Sequence, residues 1–181
     1  MSYAIVYSSR TGNTRMLAEA LRAALPPQAC VYFGPPDDAA LAADRLYVGF
    51  WTDKGICDTD TAAFLSKLSG REVFLFGTAG FGGAPAYFEG IVQRTRRCLP
   101  AGNALVGAYM CQGRMPAAVR ARYERMLASP SPAPNLRELL DNFDRAASHP
   151  DGADLERLIR AVTPTFNIRQ EDKQKIRSMS T

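Results

Sequence analysis

The sequence predicts an α/β protein whose parallel strands alternate with helices. Five short apolar runs have the composition of buried strands: residues 4–7, 29–33, 45–51, 73–76 and 104–110. Apolar residues at helical spacing follow the first four runs, at 16–25, 38–44, 59–68 and 85–98. This alternation favours a doubly wound parallel sheet with helices on both faces. In such a sheet a ligand binds beyond the carboxyl ends of the strands.

Length and composition indicate one globular domain. A chain of 181 residues can bury a single core, and 46% apolar and 22% charged residues are ordinary globular values. The chain shows neither a secretory signal nor an apolar run of about 20 residues. Its four cysteines, without a Cys-x-x-Cys pair, disfavour a metal site and fit free thiols. We therefore expect a cytoplasmic protein that binds neither metal nor membrane.

The net charge of +4 is unevenly distributed. Between Ile91 and Met126 a single acidic residue, Glu124, accompanies seven arginines: Arg94, Arg96, Arg97, Arg114, Arg120, Arg122 and Arg125. A solvated helical face explains such a run, as does a docking patch for an acidic protein partner. Nucleic acid is disfavoured because no recognised binding motif accompanies the charge.

A loop of hydroxyls and one glycine joins the first strand to the first helix. It consists of Ser9, Arg10, Thr11, Gly12, Asn13 and Thr14. The free N–H groups of a helix start, with nearby hydroxyl donors, predict a phosphate cradle. Neither the Walker spacing nor the dinucleotide glycine pattern is present. The alternative is a capped helix start without a ligand.

The string Ser9-x-Thr11-Gly12-Asn13-Thr14 after a first strand resembles the phosphate loop of flavodoxins. The resemblance implies that this loop binds the 5′-phosphate of FMN and that the sheet has strand order 2-1-3-4-5. Arg10 departs from the family, which more often has a small polar residue there. Typical flavodoxins are also acidic, whereas this chain is basic.

The loop after the third strand is the first of two that would hold the flavin ring. It contains Trp51, Thr52, Asp53, Lys54 and Gly55. The resemblance implies that Trp51 stacks on the ring, although a tryptophan can also simply anchor a strand. A peptide near Gly55 would hydrogen-bond N5 of the reduced ring. With Arg10, Lys54 would make the potential of the fully reduced flavin less negative than in acidic flavodoxins.

The loop after the fourth strand is the second of the two loops that would hold the flavin ring. It offers the main-chain N–H groups of Thr78, Ala79 and Gly80 to the O2 and N3 edge of the ring, with Phe81 against the ring. Many flavodoxins have a tyrosine here. The alternative is a glycine-rich turn without a ligand.

The region after the fifth strand is longer than a simple five-stranded unit requires. We expect one flavodoxin-like domain over residues 1–168, interrupted by a helical insertion at 112–148 and closed by a helix near 154–162. A polar, basic tail follows at 169–181. We expect His149 to have a structural or surface role, and Cys57 and Cys111 to be unreactive thiols. The sequence therefore offers no acid–base catalyst.

These features predict an FMN-binding electron-transfer protein that shuttles electrons between a reductase and an acceptor enzyme. The loops at 51–55 and 77–83 and the region 142–146 resemble BilS-type flavodoxins, some of which accompany a bilirubin reductase. One alternative is an FMN-dependent reductase acting directly on a quinone, a tetrapyrrole or another small acceptor, with residues 112–115 lining its pocket. A second is a non-redox interaction protein on the same fold. The sequence leaves enzyme and carrier open, with the carrier favoured.

Overall fold

A computed structural model describes residues 1–82 and 84–164. The strands are β1 (Tyr3–Tyr7), β2 (Cys30–Gly34), β3 (Arg45–Asp53), β4 (Ile56–Cys57), β5 (Glu72–Ala79) and β6 (Ala104–Gln112). The helices are α1 (Asn13–Ala24), α2 (Thr59–Leu65), α3 (Pro85–Arg96), α4 (Ala117–Leu127), α5 (Leu136–Ala146) and α6 (152–164). Short 3₁₀ turns span Pro27–Ala29 and Asp38–Ala42.

The five long strands form a parallel sheet in the order β2-β1-β3-β5-β6. This confirms the predicted order, because β5 and β6 are the fourth and fifth of the predicted strands. The sequence did not predict β4, which pairs antiparallel with the end of β3. The expected helix at 38–44 is instead the 3₁₀ turn, which Asp37 caps by accepting a hydrogen bond from the N–H of Ala39.

The core lies on both faces of the sheet. Leu46 and Val48 of β3 belong to one apolar cluster, which α2 and α3 cover. Tyr47, between them in sequence, belongs to the other, which α1 and α6 cover. Because successive strand residues point to opposite faces, a central strand covered by helices on both sides is apolar throughout.

Polar groups close the amino ends of the strands. The Arg45 guanidinium pairs with Glu72 at 2.7 Å, and the Arg45 side chain is 2% exposed. Asn103 donates to the carbonyls of Leu68 and Pro100 and accepts from the N–H of Arg71, at 2.9–3.0 Å. This edge of the sheet is internally paired.

The insertion after β6 is a pair of packed helices, α4 and α5. Arg120 of α4 hydrogen-bonds Asp144 of α5, and its guanidinium lies 5.7 Å from the centre of the Phe143 ring. The helix α6 then closes the fold around the position expected for the closing helix. No helix among the described residues is long and apolar enough to cross a membrane. The predicted tail at 169–181 lies outside those residues, and the domain limits stay a prediction.

Candidate functional site

The loop after β1 leads directly into α1. Gly12 is the residue before the helix and has φ +86°, a left-handed conformation that glycine adopts without strain. It offers no side-chain cap, and the first turn of α1 carries no acidic residue. Ser9 Oγ instead accepts a hydrogen bond from the N–H of Arg15 at 3.2 Å. The amides of Asn13 and Thr14 precede the first intrahelical bond, from Met16 N to Gly12 O, and such free N–H groups at a helix start are suited to binding an anion.

Asn13 joins this loop to the segment after β6. Its Nδ2 donates to Thr11 Oγ1 and to the carbonyl of Arg114, both at 2.9 Å. Its Oδ1 is buried and has no hydrogen-bond partner among the described residues. A buried polar atom without a partner is unfavourable, so the site lacks a donor at this point.

Thr14, in the first turn of α1, contacts strands β3 and β5. Its hydroxyl donates to the carbonyl of Phe50 and lies 3.2 Å from the hydroxyl of Thr78. The Thr14 side chain is therefore engaged within the protein, and its backbone N–H is left without an intrahelical acceptor at the helix start.

The loop after β3 is a hairpin that turns into β4. Arg10 lies over Trp51, with 5.4 Å between its Cζ atom and the ring centre, so the loop after β1 and the aromatic residue are in contact. Thr52 Oγ1 is a second buried side-chain atom without a partner in the described chain. Asp53 is half-buried and Lys54 is exposed at the tip.

The loop after β5 packs against the insertion. The carbonyl of Gly80 accepts hydrogen bonds from Asn142 Nδ2 at 3.0 Å and Gln112 Nε2 at 3.5 Å. A Cβ at Gly80 would lie 2.6 Å from Cγ of Met115, so glycine allows this close approach. Phe81 is 38% exposed beside the loop.

A cavity of about 340 Å³ brings the three predicted loops together. The predicted residues that line it are Arg10, Thr11, Asn13, Trp51, Thr52, Thr78, Ala79 and Gly80. The other predicted residues, which lie in the same loops but outside the lining, are Ser9, Gly12, Thr14, Asp53, Lys54, Gly55 and Phe81.

Six further lining residues come from the segment after β6: Gly113, Arg114, Met115, Pro116, Ala118 and Val119. Sequence reasoning included residues 113–115 in a pocket only under the reductase alternative. The rule that parallel strands end at one edge could have placed the whole segment here. The first turn of α4 gave no sequence signal of its own.

The model for the flavodoxin domain family matches residues 4–163. The chain belongs to the flavodoxin family. Membership supports the predicted cofactor, FMN, and the cavity lining fits such a ligand because it combines the Thr11 hydroxyl loop, Asn13 at the start of α1 and the aromatic residue Trp51.

Two similar sequences are flavodoxin-like domain-containing proteins named BilS. The protein from Clostridium symbiosum is 42% identical over 172 residues, covering 86% of this chain and 90% of its own length. The one from Clostridioides difficile is 28% identical over 158 residues, covering 83% and 88%. The prediction of a BilS-type flavodoxin is confirmed.

Two of the solved structures that match this chain are a flavodoxin and a flavoprotein. A short-chain flavodoxin associated with a non-canonical PDU bacterial microcompartment is 19% identical and covers 82% of this chain and 100% of its own, with a TM-score of 0.49. A flavoprotein in complex with FMN from Lactobacillus acidophilus is 15% identical and covers 60% and 92%, with a TM-score of 0.47.

The polar cluster around Asp154 supports the wall of the site in this flavodoxin-family chain. Asp154 bonds His149 at 2.5 Å and Arg157 at 2.6 Å, and the carbonyl of His149 accepts from the N–H of Arg114. Burial alone would raise the pKa of Asp154, but hydrogen bonds from His149, the Asp151 amide and Arg157 outweigh it and lower the pKa. His149 thus lies behind the cavity wall, and its structural or surface role stays a prediction.

The thiols near the site are unreactive by environment. Burial, followed by the neighbouring Cys98 thiol, raises the pKa of Cys57 to about 12. Burial likewise raises the pKa of Cys111 well above its usual value. Because the thiolate is the nucleophile, neither side chain is suited to covalent chemistry.

The arginines between residues 94 and 125 have different local roles. Arg94 hydrogen-bonds the carbonyl of Gly55, Arg114 lines the cavity, and Arg120 pairs with two carboxylates of the insertion. Arg122 and Arg125 are exposed on α4. Since six of the seven arginines are exposed and Arg120 is half-buried, the solvated face and the docking patch both stay predictions.

Proposed function

We propose that the chain binds FMN non-covalently and transfers electrons between a reductase and an acceptor enzyme. The observation that carries the proposal is one cavity lined by all three predicted loops. Two of its lining residues, Asn13 and Thr52, each have a buried side-chain oxygen without a hydrogen-bond partner among the described residues, and in this proposal bound FMN provides donors near them.

In this proposal, different residues bind the phosphate and the ring of FMN. Ser9, Thr11 and the amides of residues 12–14 hold the phosphate at the start of α1, and Arg10 neutralises it from above Trp51. Trp51 stacks on the ring, and the backbone of residues 78–80 meets the ring edge, with Phe81 beside it. FMN supplies one- and two-electron transfer, and these groups bind and orient it.

Lys54 and Arg10 set the charge around the ring in this proposal. Lys54 is exposed at the hairpin tip next to Asp53 and Gly55. A nearby cation favours the anionic reduced ring, so the Lys54→Glu variant should have a more negative potential in a redox titration. An unchanged potential would contradict this role, and the uncharged Lys54→Gln variant should fall between the two.

The visible spectrum of the freshly purified protein tests the central proposal. Oxidised flavin bands that are released on denaturation as FMN, with no adenine nucleotide, are the expected result. Protein that is colourless and binds no added FMN would overturn the proposal and favour a non-redox interaction protein. The Thr52→Val variant keeps the shape but removes one unpartnered oxygen, so it should bind FMN more weakly than the wild type.

A second candidate function is an FMN-dependent reductase of a quinone, a tetrapyrrole or another small acceptor. It is favoured by the insertion, because Met115, Ala118 and Val119 form an apolar wall beside the exposed Arg114. Steady-state assays with NAD(P)H and a panel of acceptors separate the two functions. Turnover without an added reductase supports the enzyme, whereas reduction that requires one supports the carrier.

The partners follow from the carrier proposal. Exposed cationic side chains at the cavity mouth, Arg10 and Arg114, and Lys54 at the hairpin tip suit an acidic redox partner, and a bilirubin reductase is one acceptor to test. Electron transfer should slow as salt rises, and a salt-independent rate would count against charge-guided docking. The four free cysteines support a site of action in a reducing cytoplasm.

A further inference from the structure

The β3–β4 hairpin beside the cavity has a conformation that needs outside support. Its ladder consists of the pairs Thr52–Cys57 and Asp53–Ile56. At the tip, Lys54 has φ +49° and Gly55 has φ +85°. Among the described residues Lys54 is the one non-glycine residue with a positive φ, which its Cβ disfavours.

The end of α3 supplies that support. Arg94 Nε donates to the carbonyl of Gly55 at 2.6 Å. The neighbouring Thr95 is buried, and its Oγ1 accepts from the N–H of Cys57 at 3.1 Å. Two consecutive helix residues thus hold the tip and the returning strand, and the bond from Arg94 is charge-assisted.

Two glycines make room for the Arg94 guanidinium. A Cβ at Gly90, one turn earlier in α3, would lie 3.3 Å from Nη1 of Arg94. A Cβ at Gly55 would lie 3.3 Å from Nη2. The side chain leans back along the helix, as helical side chains do, and lies between two positions without side chains.

We propose that Arg94 is a positioning residue of the flavin site, acting through the carbonyl of Gly55. The proposal rests on FMN binding as proposed above. Thr52 pairs with Cys57 in the hairpin and, with Trp51, lines the cavity. When Arg94 holds the tip, these two residues keep their places toward the cofactor, although Arg94 itself is not among the residues lining that cavity.

Amide hydrogen exchange on the flavin-free, full-length chain tests the contact itself. In Arg94→Met, which removes the guanidinium, amides 53–57 should exchange about tenfold faster than in the wild type. Arg96→Met is the matched control, because Arg96 lies in the same helical turn and is exposed. Its hairpin exchange should equal that of the wild type.

FMN titration and flavin circular dichroism test the consequence for the site. Arg94→Met should bind FMN about tenfold more weakly and show altered flavin dichroism, because Trp51 no longer keeps a fixed position. Arg94→Lys retains a cationic donor and should recover part of both signals. Gly90→Leu replaces a poor helix former with a good one but fills the space of the guanidinium, so it should weaken FMN binding although it favours the helix.

The outcomes separate this proposal from the proposed function. Unchanged hairpin exchange in Arg94→Met overturns the clamp, and faster exchange with unchanged FMN affinity and dichroism overturns its role in the site. If the wild type binds no FMN, the proposed function and the positioning role both fail, while the exchange comparison still decides whether Arg94 holds the hairpin.

Discussion

The amino and carboxyl ends of the parallel strands differ in how completely their polar side chains are hydrogen-bonded. At the amino ends, Asn103 uses both its Nδ2 and its Oδ1 in hydrogen bonds to neighbouring loops. At the carboxyl ends, Asn13 also donates twice through Nδ2, but its Oδ1 has no partner among the described residues. Asparagine therefore has all its side-chain hydrogen bonds satisfied at the amino ends of the strands but not at the carboxyl ends. We expect a ligand to bind at the end where a side-chain atom lacks a partner.

The largest expected effect is on the free energy of unfolding, at the amino ends of the strands. Arg45→Met leaves Glu72 buried without its guanidinium, and breaking a buried ion pair from one side costs about 3–5 kcal/mol of unfolding free energy. Urea unfolding measures this loss. The double variant Arg45→Met/Glu72→Leu should recover most of it. FMN affinity of the folded fraction should stay at the wild-type level. A parallel loss of affinity would contradict the separation between stability at the amino ends and binding at the carboxyl ends.

The two asparagines give the most direct comparison. Asn13→Ala removes two hydrogen bonds that order the phosphate loop, so FMN affinity should fall by about 2 kcal/mol, or roughly 30-fold. Asn103→Ala removes three bonds and should lower the unfolding free energy by a similar amount without changing FMN affinity. Isothermal titration and urea unfolding of both variants check this. Equal effects on binding would show that the edges are not separate in energy.

The contact between Arg10 and Trp51 should have a smaller effect. Arg10→Ala removes a cation near the phosphate and over the ring, and should weaken FMN binding about tenfold at low salt. The difference should shrink as salt rises. Arg22→Ala is the matched control, since Arg22 lies 4.4 Å from the Phe33 ring centre in the same kind of contact but does not line the cavity. A similar loss of binding in the control would contradict a local effect.

The smallest expected effect is on the pH dependence of stability, through the polar cluster around Asp154. Because the pKa of Asp154 is lowered in the folded state, its stabilising contribution is complete above the unfolded value of 3.8 and is lost as pH falls through the folded pKa. Asp154→Asn should therefore lower stability at pH 7 and flatten the acid limb of the unfolding profile below about pH 4. Urea unfolding across pH checks this, and an unchanged limb would contradict it.

The strands and the meeting of three loops were predictable because both follow from local patterns, whereas the strand order followed from the resemblance to flavodoxins. Apolar runs indicate strands, and parallel strands end at a common edge. The hairpin was not predicted because β4 has only two residues. In addition, the first of the two tip residues with a positive φ is a lysine, Lys54, where the sequence signal for a turn would be a glycine. The sequence placed the start of the insertion, residues 112–115, in a pocket wall only under the reductase alternative, because the contacts of the insertion are long-range. Asn13 and the Arg114 carbonyl are 101 residues apart in sequence, and no local pattern records such a contact.

The left-handed glycine before α1 has a consequence for how binding and folding are coupled. A helix that starts after Gly12 has no side chain at that residue to terminate it, so a phosphate bound there becomes part of the secondary structure. If FMN binds as proposed, its phosphate would take the place of an N-terminal cap of α1. Its occupancy should raise the stability of the whole fold, by about 2.7 kcal/mol at a hundredfold excess over the dissociation constant. Cofactor supply in the cell would thus regulate how much folded protein persists, as well as how much is active.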